Sequence, residues 1–446
     1  MKYFVLCFLV AFGANNLAAQ DWPQWNGPQR DGTVPQQNLI ATVPTEGLKA
    51  LWRQPVSFGY AGPVIADGKV FVLDYDKKSG KIINNPGKRD ELTGNERVRC
   101  YSADKGKLIW EYAYDRPYSV SFGGGPRATP SFHEGKLYVL GSEGDLTCLD
   151  ADSGKKIWHH QFADEYKAPT PIWGHAASPL VYNDILVCMV GGKDCMVIAF
   201  DLATGVERWR ALDGKDAGYC PPTIINHGGT EQLMVWDPHT ISSLNPGDGK
   251  VHWQQPLNAD YDMSILPPVR EGNLLYTSGE GNKSVMLKLD ESKPAAEVLW
   301  KGNSKTGFAL ATSNAIFRNG YLYGADIRSG AVICARATDG KRMWQSALPT
   351  TGSDRGRGKA HGTAMLMHVG DDNYMIFSET GAFISAKMTP EGYEETGRCQ
   401  VIEPTLKTSG RTVVWTYPAI ADGKLYVRND LELVCYSISM AKPESK

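Results

Sequence analysis

Histidine, arginine and aromatic residues recur at corresponding points of the chain, each shortly before a segment of alternating apolar residues. A histidine can move a proton near neutral pH, an arginine fork suits carboxylate or phosphate groups, and an aromatic face suits a sugar ring or planar cofactor. The candidate general bases are His175 and His361. The candidate ligand contacts are Arg127, Trp173, Tyr219, Asp262, Asn314, Arg355, Arg357 and Trp415.

Each of these candidates has a simpler alternative. Arg355, Arg357, Lys359 and His361 form a basic run that would suit an anionic saccharide, a quinone tricarboxylate or an acidic peptide, but an ordinary solvated loop has the same composition. Either histidine, taken singly, is also explained as a hydrogen-bonded structural residue. No grouping of His, Cys, Asp and Glu has a metal-ligand spacing, so we predict no metal site from these residues. Whether these residues form a binding site or are structural depends on the secondary-structure elements that position them.

A repeated phrase organises the chain. It begins with a small residue, continues through Asp and a Ser-Gly or Thr-Gly turn, and closes on Trp, as in Cys148-Leu149-Asp150 to Ser153-Gly154 and Trp158. A strand–turn–strand phrase precedes each copy, so one unit contains four short strands. The closing tryptophans lie 44 to 51 residues apart, a spacing typical of propeller blades. They are Trp110, Trp158, Trp209, Trp253, Trp300 and Trp344.

Counting the units predicts an all-β, eight-bladed β-propeller of four-stranded blades. The last unit has only three strands before the chain ends, whereas Leu51-Trp52-Arg53 is an unpartnered strand at the beginning. Pairing the two would close the ring and remove an exposed edge. The predicted first strands lie near Pro63, Pro130, Pro179, Pro222, Pro268, Ala315, Ala364 and Pro418.

Composition agrees with this fold and restricts the partners. Of 446 residues, 42% are hydrophobic, 47 are Gly and 20 are Tyr, which favours short strands and tight turns over disorder. A net charge of -2 gives no reason to expect nucleic acid. Residues 1–20 have the pattern of a secretory signal peptide, and no later apolar run is long enough to span a membrane. We therefore predict one domain over residues 21–446, periplasmic or secreted, and monomeric.

The cysteines have two interpretations. Cys100, Cys148, Cys334 and Cys435 occupy one repeat position that holds Ala or Ser elsewhere, so we interpret them as small packing residues. Cys188 and Cys195 flank the turn of one hairpin, where either a disulfide or two free thiols would fit. We interpret the periodic tryptophans as rings that fill the wedge between neighbouring blades.

In such a ring, the connections that lead into the innermost strands gather on one face, around the channel. The candidate residues lie in these connections, for example in 159–177 and 345–362, so we expect them to point into a central funnel. The insertion from Asp74 to Glu96 in the first blade should lie on the same face, as a mobile flap or a solvated loop.

The phrase Ala199-x-Asp201-x-x-Thr204-Gly205 closing on Trp209 resembles the tryptophan-docking repeat of pyrroloquinoline quinone (PQQ) type propellers. That family includes quinoprotein alcohol dehydrogenases, which use PQQ with calcium, and non-enzymatic members such as an outer-membrane assembly lipoprotein. The resemblance covers residues 50–437. The opening Asp21-Trp22-Pro23-Gln24-Trp25 and the phrase from Gly125 to Pro130 further resemble exported PQQ-like proteins of environmental bacteria.

The chain departs from the dehydrogenase pattern at three points. It has no adjacent pair of cysteines, no Cys-x-x-Cys-His phrase for a haem, and no match to the family's calcium ligands on the inner strands. We therefore carry three hypotheses. The first is an exported propeller that binds a small molecule, such as a saccharide or quinone, or a protein at its funnel. The second is a PQQ-dependent alcohol or sugar dehydrogenase, and the third is a quinone-free polysaccharide lyase or hydrolase.

Overall fold

Short antiparallel strands joined by turns account for nearly all regular structure in the computed structural model. It describes residues 21–35, 38–281, 283–353 and 358–440. The predicted signal peptide and the candidates Arg355 and Arg357 lie outside the described residues. The described helices are Phe162–Tyr166, the 3-10 turn Asp260–Asp262 and Leu348–Thr351. None of these has the length and apolarity that crossing a membrane would require.

Eight antiparallel sheets follow one another along the chain, and each contains four consecutive strands except the last. Blade 1 contains Val64–Ala66, Lys69–Ser79, Asp90–Ser102 and Leu108–Asp115, and blade 2 contains Ser131–His133, Lys136–Leu140, Asp145–Asp150 and Lys156–Gln161. Blade 3 contains Leu180–Tyr182, Ile185–Met189, Val197–Asp201 and Glu207–Ala211, and blade 4 contains Thr223–His227, Thr230–Trp236, Thr240–Leu244 and Val251–Pro256. Blade 5 contains Val269–Glu271, Leu274–Gly279, Lys283–Leu289 and Ala296–Lys301, and blade 6 contains Ala315–Arg318, Tyr321–Ala325, Val332–Arg336 and Arg342–Ser346. Blade 7 contains Ala364–Gly370, Asn373–Ser378, Ala382–Thr389 and Gly392–Gln400. The eight-bladed prediction is confirmed.

The ring is closed by the first strand. Ala50–Pro55 pairs antiparallel with Glu432–Ser437, and Ala419–Ala421 and Lys424–Arg428 complete blade 8. The predicted prolines lie directly before the innermost strands rather than inside them, where a missing N–H group breaks no ladder hydrogen bond. Two small additions lie outside the eight sheets: Tyr118–Val120 pairs with the beginning of Asp90–Ser102, and Leu406–Thr408 pairs with Arg411–Val413.

Tryptophan docking joins six of the eight described blades to the next. The indole Nε1 of Trp158 donates to the carbonyl of Leu202 in the following blade at 3.1 Å, and its ring covers Gly205. Gly205 has a φ of +74°, and a Cβ there would lie 2.7 Å from the ring. The same donation to the next blade joins Trp52 to Ala103, Trp110 to Ala151, Trp209 to Pro246, Trp300 to Ala337 and Trp344 to Thr389. Trp253 instead donates to Gln232 of its own blade.

A β-bulge aims each docking ring. The pairing between third and fourth strands skips the residue directly before the tryptophan, as at Ile157 before Trp158. A bulge turns the strand and re-aims the next side chain. The skipped residues are Leu51, Ile109, Ile157, Arg208, His252, Leu299 and Met343.

Four cysteines lie opposite these tryptophans. Cys100, Cys148, Cys334 and Cys435 pair with the docking Trp across the outer two strands and are fully buried. Burial raises the pKa of each thiol to about 12, so they behave as small apolar groups. The packing prediction is confirmed. Cys188 and Cys195 are free thiols, as are the other six described cysteines.

The segment before the first strand fills the central channel, which the sequence patterns did not predict. Trp22 pairs with Ile65 of blade 1, and the carbonyl of Pro23 accepts from Phe132 of blade 2. Val34 N donates to the carbonyl of His368 in blade 7 at 2.8 Å. Trp22, Trp25, Asn26, Arg30 and Val34 are all buried. Residues 21–35, the channel segment, therefore contact inner strands around most of the ring.

Candidate functional site

Arg127 lies where the chain enters blade 2, on the face where the inner-strand connections gather. Its guanidinium donates to the carbonyls of Gly125, Ser121 and Phe122 and to the hydroxyl of Ser142. It also lies 5.0 Å from the centroid of the Tyr60 ring. These contacts fix the side chain in one position, so a ligand would meet a preorganised cation rather than a mobile one.

Two aromatic pairs flank this arginine. Trp173 and Tyr219 meet edge-to-face with their centroids 5.6 Å apart. Phe122 and Trp415 lie 6.1 Å apart, and the backbone carbonyl of Phe122 accepts from Arg127. Trp173, Phe122 and Trp415 are only half-buried. The funnel mouth, defined here as Tyr60, Phe122, Arg127, Trp173, Tyr219 and Trp415, thus brings together four of the predicted residues.

A buried carboxylate positions Trp415. Glu379 accepts from its indole Nε1 at 3.2 Å and forms two hydrogen bonds with Arg411. The same carboxylate accepts from Thr363 N at 3.0 Å. Sequence reasoning missed Phe122, Glu379 and Arg411. The sequence did contain a signal for Glu379. It lies before a Thr-Gly pair in the turn between the second and third strands of blade 7, and in a propeller this turn opens on the same face as the mouth.

The two candidate histidines lie in blades 3 and 7, on opposite sides of the ring. His175 is 2% exposed and faces Phe162 edge-on at 5.3 Å. Burial lowers its pKa to about 4, so the imidazole is neutral at pH 7 and lies beneath the mouth. His361 is half-buried, has a φ of +60° and donates its backbone N–H to Ile327 at 2.6 Å. No pair of bases is formed.

Asn314 faces the channel segment instead of the mouth. Its amide donates to Asn26 at 3.2 Å and to the carbonyl of Leu366, and its oxygen accepts from Leu366 N. Asn314 is 1% exposed, so these bonds use the side chain within the protein. Its observed role is to join blades 6 and 7 to the channel segment.

The insertion of blade 1 forms a long β-hairpin, in Lys69–Ser79 and Asp90–Ser102. As predicted, it lies on the mouth face. Arg89, at its end, donates to the carbonyl of Thr170 at 2.8 Å, and Asn84 donates to the carbonyl of Lys407. The hairpin is thus anchored to connections on both sides and is neither a free flap nor a bare loop.

A cleft of about 550 Å³ opens beside the mouth, between the connections that enter blades 3, 4 and 5. Asp262 is the one predicted residue that lines this cleft, here called the blade-4 cleft. Burial raises the pKa of Asp216, with a further contribution from Asp262, and burial also raises the pKa of Asp237. The lining residues are Arg89, Pro169, Thr170, Ile172, Met196, Leu212, Asp213, Gly214, Lys215, Asp216, Asp237, Pro238, His239, Thr240, Gln254 and Asp262.

PQQ with calcium would require grouped carboxylate or amide ligands for the cation. Among the described residues, no three His, Cys, Asp or Glu side chains are close enough together to hold a metal ion. In addition, the hydrogen bonds of Arg127 and Asn314 are directed at protein atoms. The described residues therefore offer the ion no cluster of three carboxylate, imidazole or thiol groups, and Arg127 and Asn314 already bond within the protein.

The family model described as outer membrane protein assembly factor BamB matches residues 94–384, more than half of the chain. A search of curated proteins found no match. BamB from Moraxella catarrhalis is similar in structure, with 12% identity, coverage of 89% of this chain and 99% of that one, and a TM-score of 0.56.

Two enzymes share the architecture as well. The quinohemoprotein alcohol dehydrogenase from Comamonas testosteroni has 13% identity, coverage of 96% of this chain and 82% of that one, and a TM-score of 0.62. The quinohemoprotein alcohol dehydrogenase ADHIIG from Pseudomonas putida HK5 has 12% identity, coverage of 95% and 81%, and a TM-score of 0.60. Identities this low establish a common fold and leave the chemistry to the site itself.

Proposed function

The chain belongs to the PQQ-like propeller family described as outer membrane protein assembly factor BamB, and from this premise we propose that it binds a ligand at its funnel mouth without redox chemistry. A saccharide is the ligand class that this mouth suits best. The observation that carries the proposal is the pair of half-buried aromatic contacts, Trp173–Tyr219 and Phe122–Trp415, on either side of the fixed Arg127.

Aromatic rings with one accessible face stack on the apolar faces of sugars. Arg127, whose Nη groups donate to protein atoms, holds the Phe122 backbone beside the mouth. Because the protein already holds Arg127 and Trp415 in place, binding loses little side-chain entropy. The channel segment supports the proposal as well: it occupies the space between the inner strands, so a ligand would approach from the mouth face.

The proposal includes export. Residues 1–20 have the composition of a signal peptide, and the matched family is described by its role at the outer membrane. A periplasmic or secreted propeller meets cell-surface and environmental glycans directly. The second candidate ligand is a protein that binds at the same mouth, because the matched family is described as an assembly factor.

The test is a binding screen with residues 21–446 against neutral, acidic and amino oligosaccharides, followed by calorimetry on the best one. We expect Trp173→Leu and Trp415→Leu to weaken binding at least tenfold, and the exposed Val206→Ala, far from the mouth, to leave it unchanged. Unaltered binding in both tryptophan variants would refute the mouth as the site.

The enzymatic alternatives are tested in the same preparation. PQQ and calcium are added, and dye reduction is followed with a panel of alcohols and sugars. Polysaccharides are incubated with the protein, and the masses of any products are measured by mass spectrometry. Steady turnover in the first assay would establish a dehydrogenase, and chain shortening in the second a lyase or hydrolase; either result would overturn binding as the sole activity.

A further inference from the structure

We propose that the blade-4 cleft binds the ammonium group of an amino sugar within the oligosaccharide that the funnel mouth holds. This inference rests on the proposed function and names its ligand class. Ile172 lines the cleft and directly precedes Trp173 of the mouth, so the two surfaces meet on the connection that enters blade 3. A volume of about 550 Å³ is within the range of small-ligand sites.

The cleft has more negative than positive charge available to a ligand. Asp213, Asp216, Asp237 and Asp262 line it, and none of these carboxylates forms an ion pair with any other described residue. The opposing cations are Arg89, Lys215 and, when protonated, His239. Both terminal nitrogens of Arg89 are directed at the carbonyls of Ser119, Thr170 and Pro171, and Lys215 is exposed at the rim.

Asp237 is the deepest of these acids. The residue is 7% exposed, and its Oδ1 accepts from His239 N at 2.8 Å and Thr240 N at 3.0 Å. Its Oδ2 accepts no hydrogen bond from the described residues, and because Asp237 lines the cleft, the surface that remains opens into it. This oxygen is not enclosed by the protein, so it is available to a cation or a hydrogen-bond donor of a ligand.

Asp216 repeats this arrangement on the neighbouring connection. Its Oδ1 accepts from Gly218 N at 2.9 Å within its own loop. Burial and the charge of Asp262 raise the pKa of Asp216, whereas Arg89 and Lys215 act in the opposite direction, so two like charges share one cleft with two cations near its edge. A ligand cation placed between Asp216, Asp237 and Asp262 would remove that repulsion and satisfy the unused oxygens.

The remaining lining favours a sugar over a bare amine. Thr170, Thr240 and Gln254 offer hydroxyl and amide groups suited to ring hydroxyls, and Pro169, Ile172 and Pro238 offer flat apolar surface. Such alternation of apolar faces and convergent polar groups is typical of ligand sites that fix orientation. A glucosamine-type unit presents an ammonium, several hydroxyls and two ring faces together.

The test compares three probes at pH 6.0 by calorimetry: a glucosamine tetramer, an N-acetylglucosamine tetramer and tetralysine. We expect the glucosamine tetramer to bind at least tenfold more tightly than its acetylated analogue. Asp237→Asn and Asp216→Asn should each remove about tenfold of that affinity, because asparagine keeps the Oδ1 acceptor for the loop and loses only the charge. Asp248→Asn, an exposed acid paired with Lys250 at a distant turn, is the control.

The outcomes separate the two proposals. Equal affinity for the two sugar tetramers, or unchanged affinity in the aspartate variants, would overturn the cleft assignment, while a loss confined to Trp173→Leu would leave the funnel mouth standing. Tetralysine binding as tightly as the glucosamine tetramer would replace the saccharide with a basic peptide. If Asp237→Asn does not fold by circular dichroism, the exposed Asp262→Asn takes its place. No saccharide binding at all would refute both proposals.

Discussion

The Nη1 atom of Arg30 donates a hydrogen bond of 3.0 Å to the carbonyl oxygen of Pro179, 149 residues further along the chain. Nη2 donates to the carbonyl of Ser178, also at 3.0 Å, and Gln24 accepts a third bond. The side chain is buried, and burial lowers its pKa to about 10, so it remains charged at pH 7. A cation held by carbonyls thus fastens the channel segment to blade 3.

Replacing that cation should loosen the channel segment. Arg30→Met fills similar space but removes the guanidinium from the carbonyl of Ser178 and leaves the carbonyl of Pro179 with only the Ser131 hydroxyl, so we expect a loss of about 2 to 4 kcal/mol in the free energy of unfolding. Urea denaturation followed by tryptophan fluorescence measures it. The control is Arg270→Met, an exposed arginine whose one hydrogen bond to a described residue goes to the carbonyl of Gly272. Equal effects of the two changes would contradict the anchoring role.

The docking contact can be isolated with two glycines of similar conformation. Gly205 has a φ of +74° and lies against Trp158, whereas Gly135 has a φ of +72° and no atom within 4 Å of an added Cβ. Both alanine variants introduce the same backbone strain, so their difference reports the clash with the ring. We expect Gly205→Ala to be about 1 to 3 kcal/mol less stable than Gly135→Ala by thermal denaturation. Matching stabilities would mean that the indole moves aside freely.

His175 should make stability depend on pH below neutrality. Its folded pKa of about 4 lies below the ordinary value of 6.5, so the unfolded chain binds the proton first and stability falls as pH decreases through this window. Between pH 7.5 and 4.5 the histidine accounts for about 2 to 3 kcal/mol. His175→Asn should remove that part of the slope in urea titrations, and His133→Asn, on the surface, should not. A wild-type slope in His175→Asn would exclude a buried neutral imidazole.

The thiols offer a direct count. Because all eight described cysteines are buried and free, we expect residues 21–446 to show no rapid reaction with a thiol reagent when folded and eight reactive thiols in denaturant. Cys195 directs its sulfur at the carbonyl of Gly191, away from a bond with Cys188. Six thiols in denaturant without reductant would instead identify the Cys188–Cys195 disulfide.

The ring was predictable because its contacts are periodic. Trp158, Gly205 and Cys148 each occupy a position that recurs in most blades, so the same residue pattern appears once per blade in the sequence. The strand at Leu51 was predictable for the same reason, as the missing fourth strand of an incomplete unit. The channel segment was not, since Arg30 and Val34 make single contacts with residues far along the chain, which leave no periodic trace.

The candidate site divides in the same way. Arg127, Trp173 and Trp415 could be placed on one face from the sequence because they precede inner strands, and that position fixes their face. Asp216 and Asp237 were missed because a loop aspartate looks solvated until its burial is known. Asn314 shares the predicted position but turns inward, since a channel filled by Asn26 offers it hydrogen bonds that open solvent would not.

The bulges before the docking tryptophans have a second consequence, for how copies of the molecule meet. Each fourth strand is the rim of its blade, and several carry an exposed aliphatic residue at the skipped position, including Leu51, Ile109 and Ile157. A flat rim of this kind would be a template for pairing with another chain. The skipped residue breaks the hydrogen-bond register at each rim. The same bulge that orients the docking indole therefore also discourages strand addition between molecules, and with it aggregation.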